Sequence, residues 1–261
     1  MDIQDGVAIV TGSSSGVGAA CARQLAEQGC HVVINFAHNE AGARETQAAC
    51  EAFGVETVVV QADVADDDGC RALARAAVDK WGRVDALVNN AGTTKFNAHD
   101  NLEGLTKEDF LQIYAVNAVG AYQATRAVVP VMRTGGRGSI VNVSSTAGVN
   151  GGGSSVAYAA SKGALITMTL SLARALGPEI RVNAVCPGFI QGRWLESGMG
   201  TERYEAAKAA LEASAPLRLT ATPDTVAESI LFFIEGADVV TGETLILDGG
   251  ARLSQIQLAQ R

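Results

Sequence analysis

The chain has 261 residues, 48% hydrophobic and only 18% charged, with 20 Lys and Arg against 28 Asp and Glu for a net charge of −8. This supports a buried core and excludes an intrinsically disordered chain. The acidic balance argues against nucleic acid or an anionic membrane as main partner, since both demand a cationic surface. Glycine is in surplus, 29 residues against an aromatic share of 5%, so some part of the fold needs bare backbone.

Val- and Ile-rich runs alternate with longer Ala-rich amphipathic stretches, the pattern of strands and helices around a parallel sheet. In chain order the expected strands are Val7–Val10, His31–Phe36, Thr57–Gln61, Ala86–Asn89, Ser139–Val143, Arg181–Cys186 and Thr244–Leu247. The expected helices are Gly16–Gln28, Glu40–Phe53, Asp66–Trp81, Lys107–Met132, Val156–Leu176 and Pro223–Ile234, the last capped by Thr222 with Pro223 in its first turn. Seven strands predict one doubly wound α/β domain over residues 1–261. Between Gln191 and Leu219 the rhythm breaks, and a mobile lid with a helix near Glu205–Glu212 is expected there.

Cys21, Cys30, Cys50, Cys70 and Cys186 are odd in number and form no CxxC pair, so a disulfide framework and a zinc site are not expected. His31, His38 and His99 show no metal-ligand spacing either. The opening Met-Asp-Ile-Gln-Asp lacks the basic start and apolar stretch of a signal peptide. The uncharged stretch Ser139–Ser161 is too polar to span a bilayer, and no other is expected to do so. A cytoplasmic protein is the expectation.

Thr11–Gly18 reads TGSSSGVG, directly after the first strand and opening the first helix. Gly12 suits a tight turn, Gly16 a close approach to a pyrophosphate and Gly18 close helix–strand packing, while the amides through Ser14, Ser15 and Val17 face the helix N-terminus. The second strand ends Asn35-Phe36-Ala37-His38, without the acid that binds the ribose hydroxyls in NAD-preferring folds. NADP is therefore expected and NAD stays open. Ser14, Asn35 and His38 are the candidates to meet a 2′-phosphate, and an ordinary solvated loop at Asn35–Asn39 is the alternative.

Tyr158-Ala-Ala-Ser-Lys162 puts a phenol and an ammonium four residues apart on one helix face. For the phenol to act as base near neutral pH its pKa has to fall by roughly 3 units, and Lys162 with an oxidised nicotinamide are expected to lower it. The strand before ends in Ser144-Ser145 at the carboxyl edge of the sheet, where ligands bind. Either hydroxyl suits an oxyanion donor, and either suits a turn cap.

Together these motifs resemble the short-chain dehydrogenase/reductase family from Val7 to about Leu253. The matching positions run in order: Thr11–Gly18, Asp63-Val64, Asn89-Asn90-Ala91-Gly92, Asn117, Ser145, Tyr158 with Lys162, and Pro187-Gly188. The resemblance implies a Rossmann-type seven-stranded sheet and hydride transfer between a nicotinamide and a carbonyl or secondary alcohol. It implies Tyr158 as acid and base, Lys162 on the nicotinamide ribose, Asn117 holding a relay water, and Ser145 rather than Ser144 as donor. Asp63 and Val64 would border the adenine, with Asn90, Ala91 and Gly92 along the adenosine side. The usual Thr after Pro-Gly is missing from Phe189-Ile190-Gln191-Gly192, so Ile190 would meet the carboxamide through its backbone. Ser15 replaces the basic residue frequent in NADP-preferring loops.

Within the family the chain looks most like 3-oxoacyl-acyl-carrier-protein reductases. An acidic carrier could meet Arg126, Arg133, Arg137 and Arg174, and a homotetramer would pair through the helices 107–132 and 156–176 and the strand near Leu245–Leu247. The competing readings are an NAD-dependent sugar, polyol or steroid alcohol dehydrogenase, a non-catalytic dinucleotide-binding regulator, and a methyltransferase on a similar fold.

Overall fold

A parallel sheet buries both faces, so its strands must be apolar throughout. In the computed structural model, which describes residues 1–254, the strands β1 (Val7–Val10) and β5 (Gly138–Val143) are buried at every position. The expected domain is thus described as far as 254, and residues 255–261 lie outside the described part.

The first half runs β1, α1 (Gly16–Glu27), β2 (His31–Phe36), α2 (Glu40–Glu51), β3 (Thr57–Gln61), α3 (Asp67–Trp81) and β4 (Ala86–Asn89). The second runs α4 (Lys107–Tyr114), α5 (Ala121–Thr134), β5, α6 (Ala147–Asn150), α7 (Val156–Leu176), β6 (Ile180–Pro187), α8 (Arg193–Met199), α9 (Thr201–Ser214), α10 (Pro223–Leu231) and β7 (Thr244–Leu247). All seven strands are parallel, in the order β3-β2-β1-β4-β5-β6-β7. The winding direction reverses between β1 and β4, opening a crevice at their carboxyl ends.

Alternation along the strands fills two separate layers. Ala8 and Val10 of β1 face α1 and α10, with Leu25, Val226 and Ile230. Val7 and Ile9 face α3, α5 and α7, with Leu73, Val128 and Leu176. All five cysteines are free and buried, four of them in these layers, and desolvation raises their thiol pKa values.

Helix starts follow from capping side chains. Thr106 and Asp109 form a capping box at α4, and Thr222 with Thr225 at α10. Ser155 Oγ accepts from Tyr158 N–H at 3.2 Å and fixes the first turn of α7.

Three expectations need correcting. The single helix over 107–132 is broken by a π turn at Ala115–Gly120. There Gly120 packs so closely on Val64 that a Cβ would lie 2.8 Å from its Cγ2. Second, the insertion after Ile190 holds two helices, α8 and α9, rather than one short stretch. Its base is pinned by the parallel bridge Ile190–Ala221. Third, α7 is long and apolar enough by length and composition to cross a membrane, yet its Ala157, Leu165 and Leu176 are buried in the fold.

Candidate active site

The carboxyl ends of β1 and β4 carry the phosphate loop. Gly12 has φ +63°, and a Cβ there would lie 2.9 Å from Ala91 Cα, so only glycine lets the two loops touch. At Gly18 a Cβ would fall 2.5 Å from both Asn90 Nδ2 and Gly12 O. Asn90 Nδ2 donates to the main-chain oxygens of Thr11 and Gly12 at 2.9 and 3.1 Å, and Thr11 Oγ1 accepts from Asn90 and Ala91 N–H at 3.0 Å. Asn90 and Ala91 therefore hold the loop's shape.

This loop fits a dinucleotide. Gly16 has φ +55° and open space where a Cβ would stand. Ser15 makes no side-chain cap and the first turn of α1 has no acid, so the helix N-terminus is free for an anion. Val17 is buried beneath it.

At the end of β2, Asn35 is fully engaged. Its Oδ1 accepts from Gly12 N–H at 3.0 Å and its Nδ2 donates to Ala62 O at 2.9 Å. With the side chain buried and its amide engaged, Asn35 shapes the loop and is not free for the 2′-phosphate contact expected of it. Phe36 is buried and His38 exposed. Asp63 is exposed, with Oδ1 accepting from Ala65 N–H at 2.9 Å, and Val64 is buried with its carbonyl accepting from Gln123 Nε2 at 3.0 Å.

Ser144 and Ser145 separate cleanly. Ser144 is buried and donates to Lys162 O at 2.8 Å. Ser145 is partly open, accepts from Ala147 N–H at 3.1 Å, donates to Pro187 O at 3.5 Å, and stands near enough to the Tyr158 phenol to lower its pKa. Asn117 is buried, its carboxamide divided between the main chain of Thr93 and Ser161 Oγ. A water relay through its side chain would have to break these bonds. Gly92 stands beside Lys162, Nζ lying 3.5 Å from a Cβ built there.

Burial sets the titration of the pair. Lys162 Nζ donates to Val143 O at 2.8 Å and lies 5.7 Å from the Tyr158 ring centroid, and desolvation lowers its pKa to about 8. Desolvation also pushes the Tyr158 phenol up to about 12, against the opposing hydrogen bond to Ser145. Burial thus penalises the phenolate more than the neighbouring protein groups stabilise it, and the lowering expected of the phenol requires the charge of an oxidised nicotinamide in addition to Lys162.

Ser145, Tyr158, Pro187, Gly188 and Ile190 line one cavity of about 820 Å³. Gly188 N–H donates to Leu247 O at 2.9 Å, tying the β6 end to β7. The cavity is also lined by Phe96 and Trp194, side chains that belong to none of the matched motifs. Trp194, one of only two tryptophans and set in the insertion, was the available signal. No cluster of metal-ligating side chains occurs among the described residues.

A family model described as enoyl-(acyl carrier protein) reductase matches residues 12–252. The chain is 40% identical to a protein named as ketoacyl reductase 2 of the granaticin polyketide synthase, from Streptomyces violaceoruber, over 95% of this chain and 96% of that one. It is 33% identical to a 3-oxoacyl-[acyl-carrier-protein] reductase of Staphylococcus aureus, over 93% and 96%. A crystal structure of a protein described as a short-chain dehydrogenase/reductase from Burkholderia xenovorans superposes with a TM-score of 0.88 at 39% identity, covering 95% of this chain and 98% of that one. The chain therefore belongs to the short-chain dehydrogenase/reductase family, as an oxidoreductase acting on CH–OH groups with a 3-oxoacyl-reductase-like function.

Proposed function

We propose that the protein reduces the carbonyl of a 3-oxoacyl-type substrate with NADPH, Tyr158 donating the proton and Ser145 holding the carbonyl oxygen. The observation that carries this is Tyr158 beside Ser145 in the wall of the cavity, its phenol raised to about 12 and so protonated at neutral pH. A bound reduced nicotinamide supplies the hydride. Tyr158 O–H supplies the proton to the oxygen, and Ser145 O–H stabilises the charge that develops there. Lys162, behind the phenol, orients the ribose side of the site and steadies the phenolate left after proton transfer. The test is NADPH oxidation, followed by absorbance, with a 3-oxoacyl thioester; no turnover by the wild type would defeat the reading.

NADP rather than NAD is favoured by the absence of an acid at Phe36-Ala37-His38. The reading extends to an acyl-carrier-bound substrate. Arg133, Arg137 and Arg174 are exposed, whereas Arg126 is paired with Asp67. It extends also to a cytoplasmic homotetramer, its assembly supported by exposed apolar side chains on α4 and α7, Leu111 at 59% and Leu170 at 50%. Light scattering that finds a monomer would remove that part.

A further inference from the structure

The insertion between Gln191 and Leu219 sorts its charges. It carries four acidic and four basic residues, yet of these eight only Arg203 lines the cavity. The insertion's share of the wall is otherwise largely apolar, with Leu195 and Met199 of α8 followed by Leu211 and Leu219. Trp194 begins this wall beside the phenol, 6.1 Å from the Tyr158 ring and 5.9 Å from Phe96 between centroids. Because Arg203 and Leu211 both reach the cavity, the cavity follows α9 for about 12 Å at the helical rise.

The position of Arg203 is fixed by its neighbour. Tyr204 is buried, its Oη accepts from Gly192 N–H at 3.1 Å, and its ring stands 5.2 Å from Phe189. The first turn of α9 is thereby fastened to the chain leaving β6. Nearby charges are engaged elsewhere or point away from the cavity: Lys208 pairs with Glu212 at 3.2 Å, Glu196 accepts from Thr201 at 3.1 Å, and Glu202 and Glu205 are exposed outside the cavity wall. The Arg203 guanidinium itself is exposed and makes no ion pair or hydrogen bond among the described residues. Toward the other end of α9, Arg252 also lines the cavity, but together with Asp248. Asp248 Oδ2 accepts from Arg252 N–H at 3.1 Å and Oδ1 from Gly250 N–H at 2.8 Å. The two charges offset each other there, and Arg203 has no such counterpart in the wall. In a chain of net charge −8, the cavity is thus left with an unopposed cation.

We propose that Arg203 is a specificity-determining residue that binds an anionic group, a carboxylate or a phosphate, carried by the 3-oxoacyl substrate in addition to its reacting carbonyl. This rests on the carbonyl-reductase reading and narrows its substrate class. The guanidinium offers a planar fork of donors that matches either anion, while the apolar residues along α8 and α9 cover the chain that bears it. Such a group stands either at the far end of the acyl chain or on the thiol arm.

The experiment follows NADPH oxidation with two matched pairs of substrates. The 3-oxohexanedioyl and 3-oxohexanoyl thioesters of N-acetylcysteamine differ by a terminal carboxylate; the 3-oxobutanoyl thioesters of pantetheine 4′-phosphate and pantetheine differ by the phosphate of the arm. Wild type should prefer the anionic member of at least one pair by about tenfold in kcat/KM, carried by KM, as expected for a charge-assisted contact, and the pair that shows it identifies the source of the anion. Arg203→Gln should bring the members of that pair level, Arg203→Lys should keep part of the preference, and Arg252→Gln should keep most of it. No preference in either pair, or one that survives Arg203→Gln, would overturn this inference and leave the reductase reading standing. No turnover of any of the four thioesters would overturn the reductase reading instead. Calorimetric titration of hexanedioate and of pantetheine 4′-phosphate, with NADPH saturating the phosphate loop, then decides the subsite: binding that Arg203→Gln removes supports it, and no binding, or binding that Arg203→Gln leaves intact, overturns it.

Discussion

Asn117 clasps the peptide of Thr93 from both sides: Oδ1 accepts from Thr93 N–H at 2.8 Å and Nδ2 donates to Thr93 O at 2.9 Å. The same Nδ2 reaches Ser161 Oγ at 2.9 Å, one residue before Lys162. One buried amide thus ties the chain after β4 to the helix that carries the catalytic pair. Asn117→Leu leaves both Thr93 groups without these partners, so it should cost about 2 kcal/mol or more in urea unfolding. An unchanged midpoint for the leucine variant would exclude the clasp as a source of stability.

The two serines should fail in different ways. Ser145→Ala removes the donor at the cavity wall and should lower kcat about 10²- to 10³-fold with little change in melting temperature. Ser144→Ala loses the bond to Lys162 O and should cost about 1 kcal/mol of stability, with kcat largely kept. The reverse pattern in paired melting and steady-state measurements would exchange their roles.

Tyr158→Phe should retain NADPH binding by fluorescence while kcat falls about 10²- to 10⁴-fold, the usual span for removing a general acid. An unchanged rate of hydride transfer in stopped-flow would rule out Tyr158 as the proton donor.

Lys162 gives a pH signature. Its folded pKa of about 8 lies below the ordinary 10.5, so between those values the unfolded chain holds a proton that the folded chain has released. Stability contributed by Lys162 therefore rises with pH across that window and is lost as pH falls through about 8. The urea midpoint of wild type minus that of Lys162→Met should increase from pH 7.5 to 9.5, and a flat difference would contradict the burial of the ammonium. Tyr158, raised to about 12 from 10, acts oppositely and only above pH 10.

At the cofactor end, Gly16→Ala meets open space but a positive φ, so strain of about 1 kcal/mol should accompany a large loss of NADPH affinity. Ala37→Asp should weaken NADPH binding about tenfold or more and leave NADH nearly unaffected, since one carboxylate near a 2′-phosphate is a like-charge contact. Equal effects on the two cofactors would remove the argument for NADP.

Local chemistry made much of this legible from the chain alone. Strand runs such as Val7–Val10, the TGSSSGVG turn at a helix start and the Tyr158/Lys162 spacing each rest on short-range rules of periodicity, glycine backbone and helix geometry. The sheet's seven strands and the helix opening at Thr222-Pro223 follow from the same rules. Tertiary packing decided the rest. Ser144 differs from Ser145 because the end of β5 ties the hydroxyl of one to the backbone of α7 and leaves the other partly open in the cavity wall. Asn35 ends beneath the phosphate loop because β2 pairs beside β1. The π turn at Ala115–Gly120 coincides with Gly120 pressed on Val64. The direction of the Tyr158 shift depends on how much water the folded walls exclude, and the approach of Phe96 and Trp194 to that phenol joins residues 98 positions apart, a distance no local pattern encodes.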